Sequence, residues 1–137
     1  MDRITLRIES SEKWIAGAVT FVAALIAVTP YCGFLFQCGC DWPWNGLDSA
    51  CNYFKPDSPH RCPWCASMIS GILSSGLAVI GGVWSSFAMP VFASRPGYAF
   101  IIRVVIGLTV FVSLALSTAV MTALVQDYPL GIGHYLR

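Results

Sequence analysis

The chain has 137 residues, of which 56% are hydrophobic and 11% charged, with a net charge of +1 and a mean hydropathy of +0.68. Soluble domains carry about 25% charged residues, so this composition indicates an integral membrane protein rather than a soluble domain. The eight basic residues form no run interleaved with aromatic residues, which excludes the electrostatic footprint of a nucleic-acid-binding protein.

Three apolar stretches are each long enough to cross a bilayer core, which needs about 20 helical residues. They predict an all-α integral membrane protein with three transmembrane helices and a Cys-rich extracytoplasmic loop between helices 1 and 2. The predicted segments are a cytoplasmic tail (1–13), helix 1 (14–36), the Cys-rich outer loop (37–65), helix 2 (66–92), a cytoplasmic turn (93–103), helix 3 (104–125) and an outer C-terminal tail (126–137).

The first two segments contain local features of their own. The sequence RITLRI at 3–8 alternates apolar with other residues, which favours a short strand or extended arm, or else a mobile tail. Pro30 lies inside the first span and removes one backbone hydrogen bond, so it predicts a kink. No small-residue cleavage site follows the apolar run, so we expect a retained helix rather than a signal peptide.

The second predicted helix carries small side chains at four-residue spacing, which lets a neighbouring helix approach closely. This row consists of Ala66, Ser70, Ser74, Ala78, Gly82 and Ser86. Packing of the three helices is the simpler interpretation of the row, and a pore lining is the alternative. Asp, Glu, Lys and His are absent from the depth of every span, which argues against a proton relay or transporter. Arg103 lies near a span end, where its side chain can snorkel to the interface.

The distribution of basic residues predicts the orientation of the chain, because cytoplasmic segments carry the excess of Lys and Arg. Five fall on one side (Arg3, Arg7, Lys13, Arg95 and Arg103) and three on the other (Lys55, Arg61 and Arg137). We therefore expect a cytoplasmic N-terminus, with the Cys-rich loop and the C-terminus outside. The expected location is a bacterial inner membrane.

All the cysteines lie between residues 32 and 65, on one side of the predicted membrane. An even number of cysteines on an oxidising face predicts disulfides first, although six cysteines leave 15 possible connectivities. The expected participants are Cys38, Cys40, Cys51, Cys62 and Cys65. Cys32 follows Pro30 at the membrane boundary, and we expect it to remain a free, buried thiol.

A metal site is the alternative use of the same loop, because thiolate and imidazole groups are zinc ligands. The candidate ligands are Cys38, Cys40, Cys51, His60, Cys62 and Cys65. Copper is also conceivable, since Cys62, Cys65 and Met68 recur at three-residue steps.

A redox role rests on Cys62-Pro63-Trp64-Cys65. If the second span begins here, Cys62 takes the N-cap position and Pro63 the first helical position, and the helix end would lower the pKa of the Cys62 thiol. The four residues resemble the active-site dithiol of glutaredoxins. Their place outside the second helix resembles the bacterial quinone-coupled disulfide-forming oxidase and, more loosely, the vitamin K epoxide reductases.

This resemblance implies that Cys62 and Cys65 are an exchanging pair, with Cys38, Cys40 or Cys51 as a relay. The chain departs from those membrane enzymes, which use a four-helix bundle around a quinone. It offers three spans and has no second Cys pair after the third.

No other catalytic constellation is visible in the sequence. Small size, small-residue helix faces, the absence of ionisable groups at membrane depth and an outer loop rich in aromatic residues and proline favour an accessory, structural or assembly subunit of a larger membrane complex. Its disulfide- or metal-stabilised outer loop is expected to contact the partners. Its expected partners are membrane lipids and other integral membrane subunits, with no nucleic acid. A membrane thiol-disulfide oxidoreductase is the first alternative, and a zinc- or copper-binding membrane protein is the second.

Overall fold

The computed structural model describes residues 3–46, 51–89 and 96–136. Within these ranges every regular element is a helix, and three helices are long and apolar enough to span a membrane, over Ser11–Phe36, Ile69–Ala88 and Gly97–Val125. The α-helices are α1 (Arg3–Phe36), α2 (Pro63–Ala66), α3 (Met68–Ala88), α4 (Pro96–Val125) and α5 (Ile132–Tyr135), and single 3₁₀ turns occupy Pro43–Asn45 and Asn52–Phe54.

Helix α1 is longer than the sequence predicts. It begins at Arg3, so the extended arm and the mobile tail are both wrong for this segment. Extending an existing helix by one residue is much easier than nucleating one, so the apolar span carries helical structure into the polar segment before it. The helix also continues through Pro30 to its predicted end at Phe36.

Helix α4 likewise begins before the predicted position, at Pro96 rather than residue 104. Proline is favoured in the first helical turn, where its missing N–H has no intrahelical partner in any case. Residues 96–103 of the predicted cytoplasmic turn are therefore helical. The rest of that turn (93–95) and the predicted end of the second span at 92 fall within residues 90–95, which lie outside the described ranges.

The second span begins at Met68 because Ser67 interrupts the helix. Cys62 and Pro63 take the predicted N-cap and first helical positions, but α2 then ends after four residues. Ser67 has an extended backbone, and its Oγ accepts a hydrogen bond from the Ser70 N–H of α3 at 3.5 Å. Ala66 therefore lies in α2, where it is exposed. It does not belong to the row of small residues on α3.

The small-residue row of α3 faces the other long helices. Ser74, Ala78, Gly82 and Ser86 are buried and Ser70 is half-buried. A Cβ placed on Gly82 would lie 2.8 Å from the Gly107 carbonyl oxygen and 2.9 Å from Phe111 Cβ, both on α4. The two backbones meet so closely that a side chain larger than hydrogen does not fit between them.

Arg103, on α4, binds the C-terminal end of α3. Its side chain is 4% exposed, so it does not extend into solvent. Its guanidinium donates to the carbonyl oxygens of Ser86 and Met89, each at 3.1 Å, and of Phe87 at 3.4 Å. The last carbonyls of a helix lack intrahelical donors, so this arginine caps the C-terminal end of α3.

The segment after α4 folds back onto the end of α1. The Tyr128 hydroxyl donates to the Phe36 carbonyl at 3.1 Å, and burial raises the pKa of Tyr128 to about 12, which keeps the hydroxyl protonated. The Phe36 ring packs edge-on against Tyr128 and Trp64, with centroids 5.8 and 5.5 Å away. Gly131, at φ +57°, lies directly against the backbone of Leu35 and Phe36. This aromatic cluster lies at the end of the bundle that carries the cysteines.

Candidate metal centre

The six cysteines come together at this end of the bundle as free thiols. The closest Sγ pairs are Cys40–Cys51 at 2.9 Å, Cys32–Cys62 at 3.3 Å, Cys38–Cys40 at 3.4 Å and Cys32–Cys38 at 3.7 Å. A disulfide requires about 2.05 Å, so no pair is bonded. The disulfides expected for Cys38, Cys40, Cys51, Cys62 and Cys65 are therefore absent from the structure. In their place, individual sulfur atoms have several sulfur neighbours.

The sulfur atoms form groups of three in which all Sγ atoms lie within 4.8 Å of one another, and three of these groups together include all six cysteines. These triads are Cys32–Cys62–Cys65, Cys32–Cys38–Cys40 and Cys40–Cys51–Cys65. Each pair of triads shares one cysteine, and we name the shared residues the inner cysteines: Cys32, Cys40 and Cys65. The outer cysteines each belong to one triad: Cys38, Cys51 and Cys62.

Cys32 is a ligand candidate that the sequence analysis missed. It lies in the last turns of α1 and is a free, buried thiol, as expected, but it also belongs to two triads. A Cβ on Gly33 would collide with the Cys40 carbonyl, so the chain after α1 passes directly over the helix. That close approach brings Cys40 within reach of Cys32. The sequence feature that could have indicated this close approach is Gly33, which directly follows Cys32.

The turn after α1 reverses the chain so that Cys38 and Cys40 both reach the cluster. Gln37 and Gly39 have φ values of 50° and 82°, in the left-handed region. Glycine adopts this conformation without steric cost, whereas most residues do not. The Cys-Gly-Cys sequence therefore supplies two thiols to one triad from a single tight turn.

Asn52 fixes the loop around the cysteines, which the sequence analysis did not predict. Its backbone N–H donates to the Cys38 carbonyl at 2.7 Å, and its Oδ1 accepts from the Cys62 N–H at 3.0 Å. Its Nδ2 donates to the His60 carbonyl at 2.9 Å and to the Tyr128 hydroxyl at 3.3 Å. The side chain of Asn52 thus joins the His60–Cys62 segment to Tyr128, and its main chain adds the contact to Cys38.

The cluster is shielded from solvent on most sides. Cys32 and all three outer cysteines are buried, whereas Cys40 and Cys65 are half-buried. These two line a cavity of about 520 Å³, whose wall also includes Trp64 and Ile72. Burial raises the pKa of the Cys51 thiol. The cavity gives a route by which a small ion or molecule could reach the sulfur atoms.

Contacts between the thiols alter their acidity unequally. Interactions with the thiols of Cys32, Cys40 and Cys62 lower the pKa of Cys38 and also that of Cys65. A lowered pKa favours the thiolate, which is the form of cysteine that binds metals.

Cys62 does not show the activation that a long helix would provide. An interaction with the Cys32 thiol lowers the pKa of Cys62. Interactions with Cys38 and Cys65, together with burial, outweigh this effect, so the pKa of Cys62 is raised overall. The four-residue α2 has too few aligned peptides for the macrodipole that the sequence analysis assumed.

His60 lies outside the triads, contrary to its predicted role as a ligand. It is exposed, and its backbone carbonyl accepts hydrogen bonds from Ser58 and Asn52. The loop positions the main chain of His60 against Asn52, while the cysteines supply the metal-ligand candidates.

Comparisons with protein-family models, with curated proteins and with solved structures gave no match.

We expect His60→Ala to leave the amount of metal bound per chain unchanged, because His60 belongs to no triad. Elemental analysis of the purified variant checks this, with Cys65→Ser as the comparison expected to lose metal. Loss of metal in His60→Ala equal to that in Cys65→Ser would show that the imidazole is a ligand.

We expect Asn52→Ala to weaken metal binding by about 10–100-fold, the usual effect of removing a residue that orients metal ligands. Competition with a chelator measures the affinity. Asn45→Ala is the matched control, because the Asn45 side chain donates to exposed Asp41 at 2.9 Å and lies outside the cluster. Equal affinity losses in the two variants would contradict the positioning role of Asn52.

Proposed function

We propose that this chain is an integral membrane protein that binds soft metal ions through a cluster of cysteine thiolates. One observation carries the proposal: six free thiols converge in triads in which every Sγ atom lies within 4.8 Å of the others. With metal–sulfur bonds of about 2.3 Å, thiolates that share one ion lie about 3.8–4.0 Å apart. The 4.8 Å limit of the triads includes this spacing, while the four closest pairs, at 2.9–3.7 Å, would have to separate for both sulfurs to bind one ion.

The type of ligand supports soft or borderline ions. Thiolates favour Cu(I) and zinc, whereas carboxylate, carbonyl and water oxygens favour magnesium and calcium. All residues of the triads are cysteines, and no Asp, Glu or His of the described ranges joins them. Zinc and copper, the two metals considered from the sequence, are therefore the ions to test.

The fold supports placing this site at one membrane face. Three helices are compatible with membrane spans. The cysteines lie where α1 ends and α4 ends, as the contacts of Tyr128 with Phe36 and of Gln126 with Pro63 at 3.0 Å illustrate. From this placement and the bias of basic residues, we propose that the cysteines and the C-terminus face outward from a bacterial inner membrane, with the N-terminus cytoplasmic.

Metal content of the purified protein tests the proposal. The protein is produced in cells supplied with zinc and copper, extracted in mild detergent without oxygen, and analysed for metals and free thiols. We expect stoichiometric metal that Cys40→Ser and Cys65→Ser reduce. Protein with six reduced thiols that takes up neither metal would overturn it.

Thiol-disulfide exchange is the second candidate, because the sulfur atoms of Cys62 and Cys65 both lie within 4.8 Å of Cys32. The cavity beside Cys65 would give a partner access. This function predicts that Cys62 and Cys65 are alkylated first after mild reduction, while Cys38, Cys40 and Cys51 resist. Uniform resistance of all cysteines would count against exchange.

An accessory-subunit role is compatible with either chemistry. Trp42 and Trp44 stack at 5.1 Å in the segment after α1, and Trp44 is 67% exposed, which offers an aromatic surface to a neighbouring subunit or to lipid. Co-purification with larger membrane proteins in mild detergent would support this role. A monodisperse, isolated monomer would contradict it.

A further inference from the structure

We propose that the inner cysteines bind one zinc ion and leave its fourth coordination position open to the cavity, where a small anionic thiol binds. This inference rests on the proposed metal-binding function and specifies the ligand set, the ion and the class of exogenous ligand. The inner cysteines are Cys32, Cys40 and Cys65. Zinc sites with three protein ligands leave the fourth position to water or a substrate, whereas structural sites are closed by a fourth protein ligand.

The inner cysteines form a triad of their own. Each pair of them occurs together in one of the triads described above, so their Sγ atoms also lie within 4.8 Å of one another. None of the four closest sulfur pairs, at 2.9–3.7 Å, lies within this inner triad. Each of the other triads contains at least one of those pairs, which must separate to about 3.8 Å before both sulfurs can bind one ion. The inner triad is therefore free of the short contacts that oppose ligation in the others.

The inner cysteines also share one cavity. All three line the cavity of about 520 Å³, together with Cys51. Cys38 and Cys62 are 2% and 0% exposed, and neither is part of the cavity wall. The Sγ atom of Cys51 lies 2.9 Å from that of Cys40, closer than two thiolates of one zinc ion, so Cys51 does not complete a tetrahedron where it lies. The open side of an ion on the inner triad therefore faces the cavity.

The size and lining of the cavity fit a small organic ligand on that open side. Its volume of about 520 Å³ falls within the range of about 300–1,000 Å³ that is typical of small-molecule sites. Away from the sulfur atoms, the wall includes the apolar side chains of Val28, Phe54, Trp64 and Ile72. An apolar wall beside a thiolate-bound ion suits a ligand with a soft donor atom and a hydrocarbon body. An organic thiol has both.

A cation lies beside the same cavity. Tyr53 forms part of the cavity wall and is 39% exposed, so it lies at the rim. The guanidinium of Arg61 packs over the Tyr53 ring, with Cζ 5.8 Å from the ring centroid. Zinc with three thiolates carries a charge of about −1, so a nearby cation offsets the charge that an anionic ligand adds. Guanidinium groups bind carboxylates through charge-assisted hydrogen bonds. A thiol that carries a carboxylate therefore matches the ion at one end and Arg61 at the other.

Zinc affinities of single Cys→Ser variants test the ligand set. The full chain is extracted in mild detergent without oxygen, reduced, and titrated with zinc against a chromophoric zinc chelator, and a parallel sample receives Cu(I). We expect one zinc per chain. The affinity should fall by more than the about 10–100-fold effect of residues that only orient ligands in Cys32→Ser, Cys40→Ser and Cys65→Ser. Cys38→Ser and Cys51→Ser are the matched controls, for which we expect a loss below about 10-fold.

Cobalt(II) bound in place of zinc reports the open position through its visible absorption, and this measurement needs no cysteine variant. Addition of mercaptoacetate should change the spectrum in a saturable way while cobalt per chain stays constant. Mercaptoethanol, a neutral thiol of similar size, should bind about 2–5-fold more weakly, which corresponds to an exposed ion pair. In Arg61→Gln this difference should disappear.

The outcomes separate this inference from the function on which it rests. Loss of zinc in Cys32→Ser with retention in Cys51→Ser, together with a saturable response to mercaptoacetate, supports the inference. Retention of zinc in Cys32→Ser, a cobalt spectrum that added thiol does not change, or binding of Cu(I) without zinc overturns it and leaves the metal-binding function in place. Equal affinities for the two thiols overturn the assignment of an anionic ligand. Failure to bind either metal overturns both the inference and the function. Far-UV circular dichroism checks that each variant remains helical.

Discussion

Cys32→Ser is expected to remove at least half of the bound metal, although it changes a residue inside α1. Cys32 belongs to two triads, so its loss removes a candidate ligand from both, and a serine hydroxyl is a poor ligand for soft metals. The volume change is small, so the helices should remain folded. Metal per chain, measured after removal of loosely bound ions, gives the result.

The alternative zinc site makes the opposite prediction for this variant. A tetrahedral site built from the Cys38–Gly39–Cys40 turn and the Cys62–Cys65 pair has four ligands without Cys32. Full retention of metal in Cys32→Ser, with loss in Cys38→Ser, would therefore contradict the shared triads. His60→Ala, which preserves all six cysteines, is the control for nonspecific effects of mutation.

The second large effect concerns helix packing, where Gly82→Ala and Gly76→Ala form a matched pair on α3. A Cβ on Gly82 would press against the backbone of Gly107 and the side chain of Phe111, at 2.8 and 2.9 Å, whereas a Cβ on Gly76 meets nothing within 4 Å. Overpacking costs about 1–3 kcal/mol. Gly76 is half-buried with open space beside it, so Gly76→Ala should instead stabilise the helix by up to about 1 kcal/mol.

Thermal unfolding in detergent, followed by circular dichroism, measures both variants. We expect a lower Tm for Gly82→Ala and an unchanged or higher Tm for Gly76→Ala. Equal shifts would show that α3 and α4 do not meet at Gly82. Since the cysteines lie at the end of this helix pair, Gly82→Ala should also reduce metal retention on heating.

The helical architecture could be predicted from the sequence because hydropathy and chain length are local properties. In the described residues, the first span ends at Phe36 and the third at Val125, as expected. The starts of the helices were less accurate. Helices extend into polar neighbours when no residue stops them, as at Arg3, and a single serine at Ser67 can interrupt a run that composition alone joins.

The cysteines show a different limit. Their number and their confinement to residues 32–65 pointed to a cross-linked or metal-binding loop. Sequence spacing favoured the disulfides and included His60, and it set Cys32 aside because that residue lies within a span. The structure brings Cys32 into the centre of the cluster and leaves His60 exposed outside it.

The sequence by itself determined that this is a helical protein with three apolar spans, because each span satisfies its backbone hydrogen bonds internally. Only the tertiary structure decided which sulfur atoms are neighbours. That outcome depends on the approach of Cys40 to Gly33, on the hydrogen bonds of Asn52 and on the return of Tyr128 to Phe36, all of which join distant parts of the chain. Metal ligation depends on distances between side chains, and these distances follow from packing rather than from spacing along the sequence.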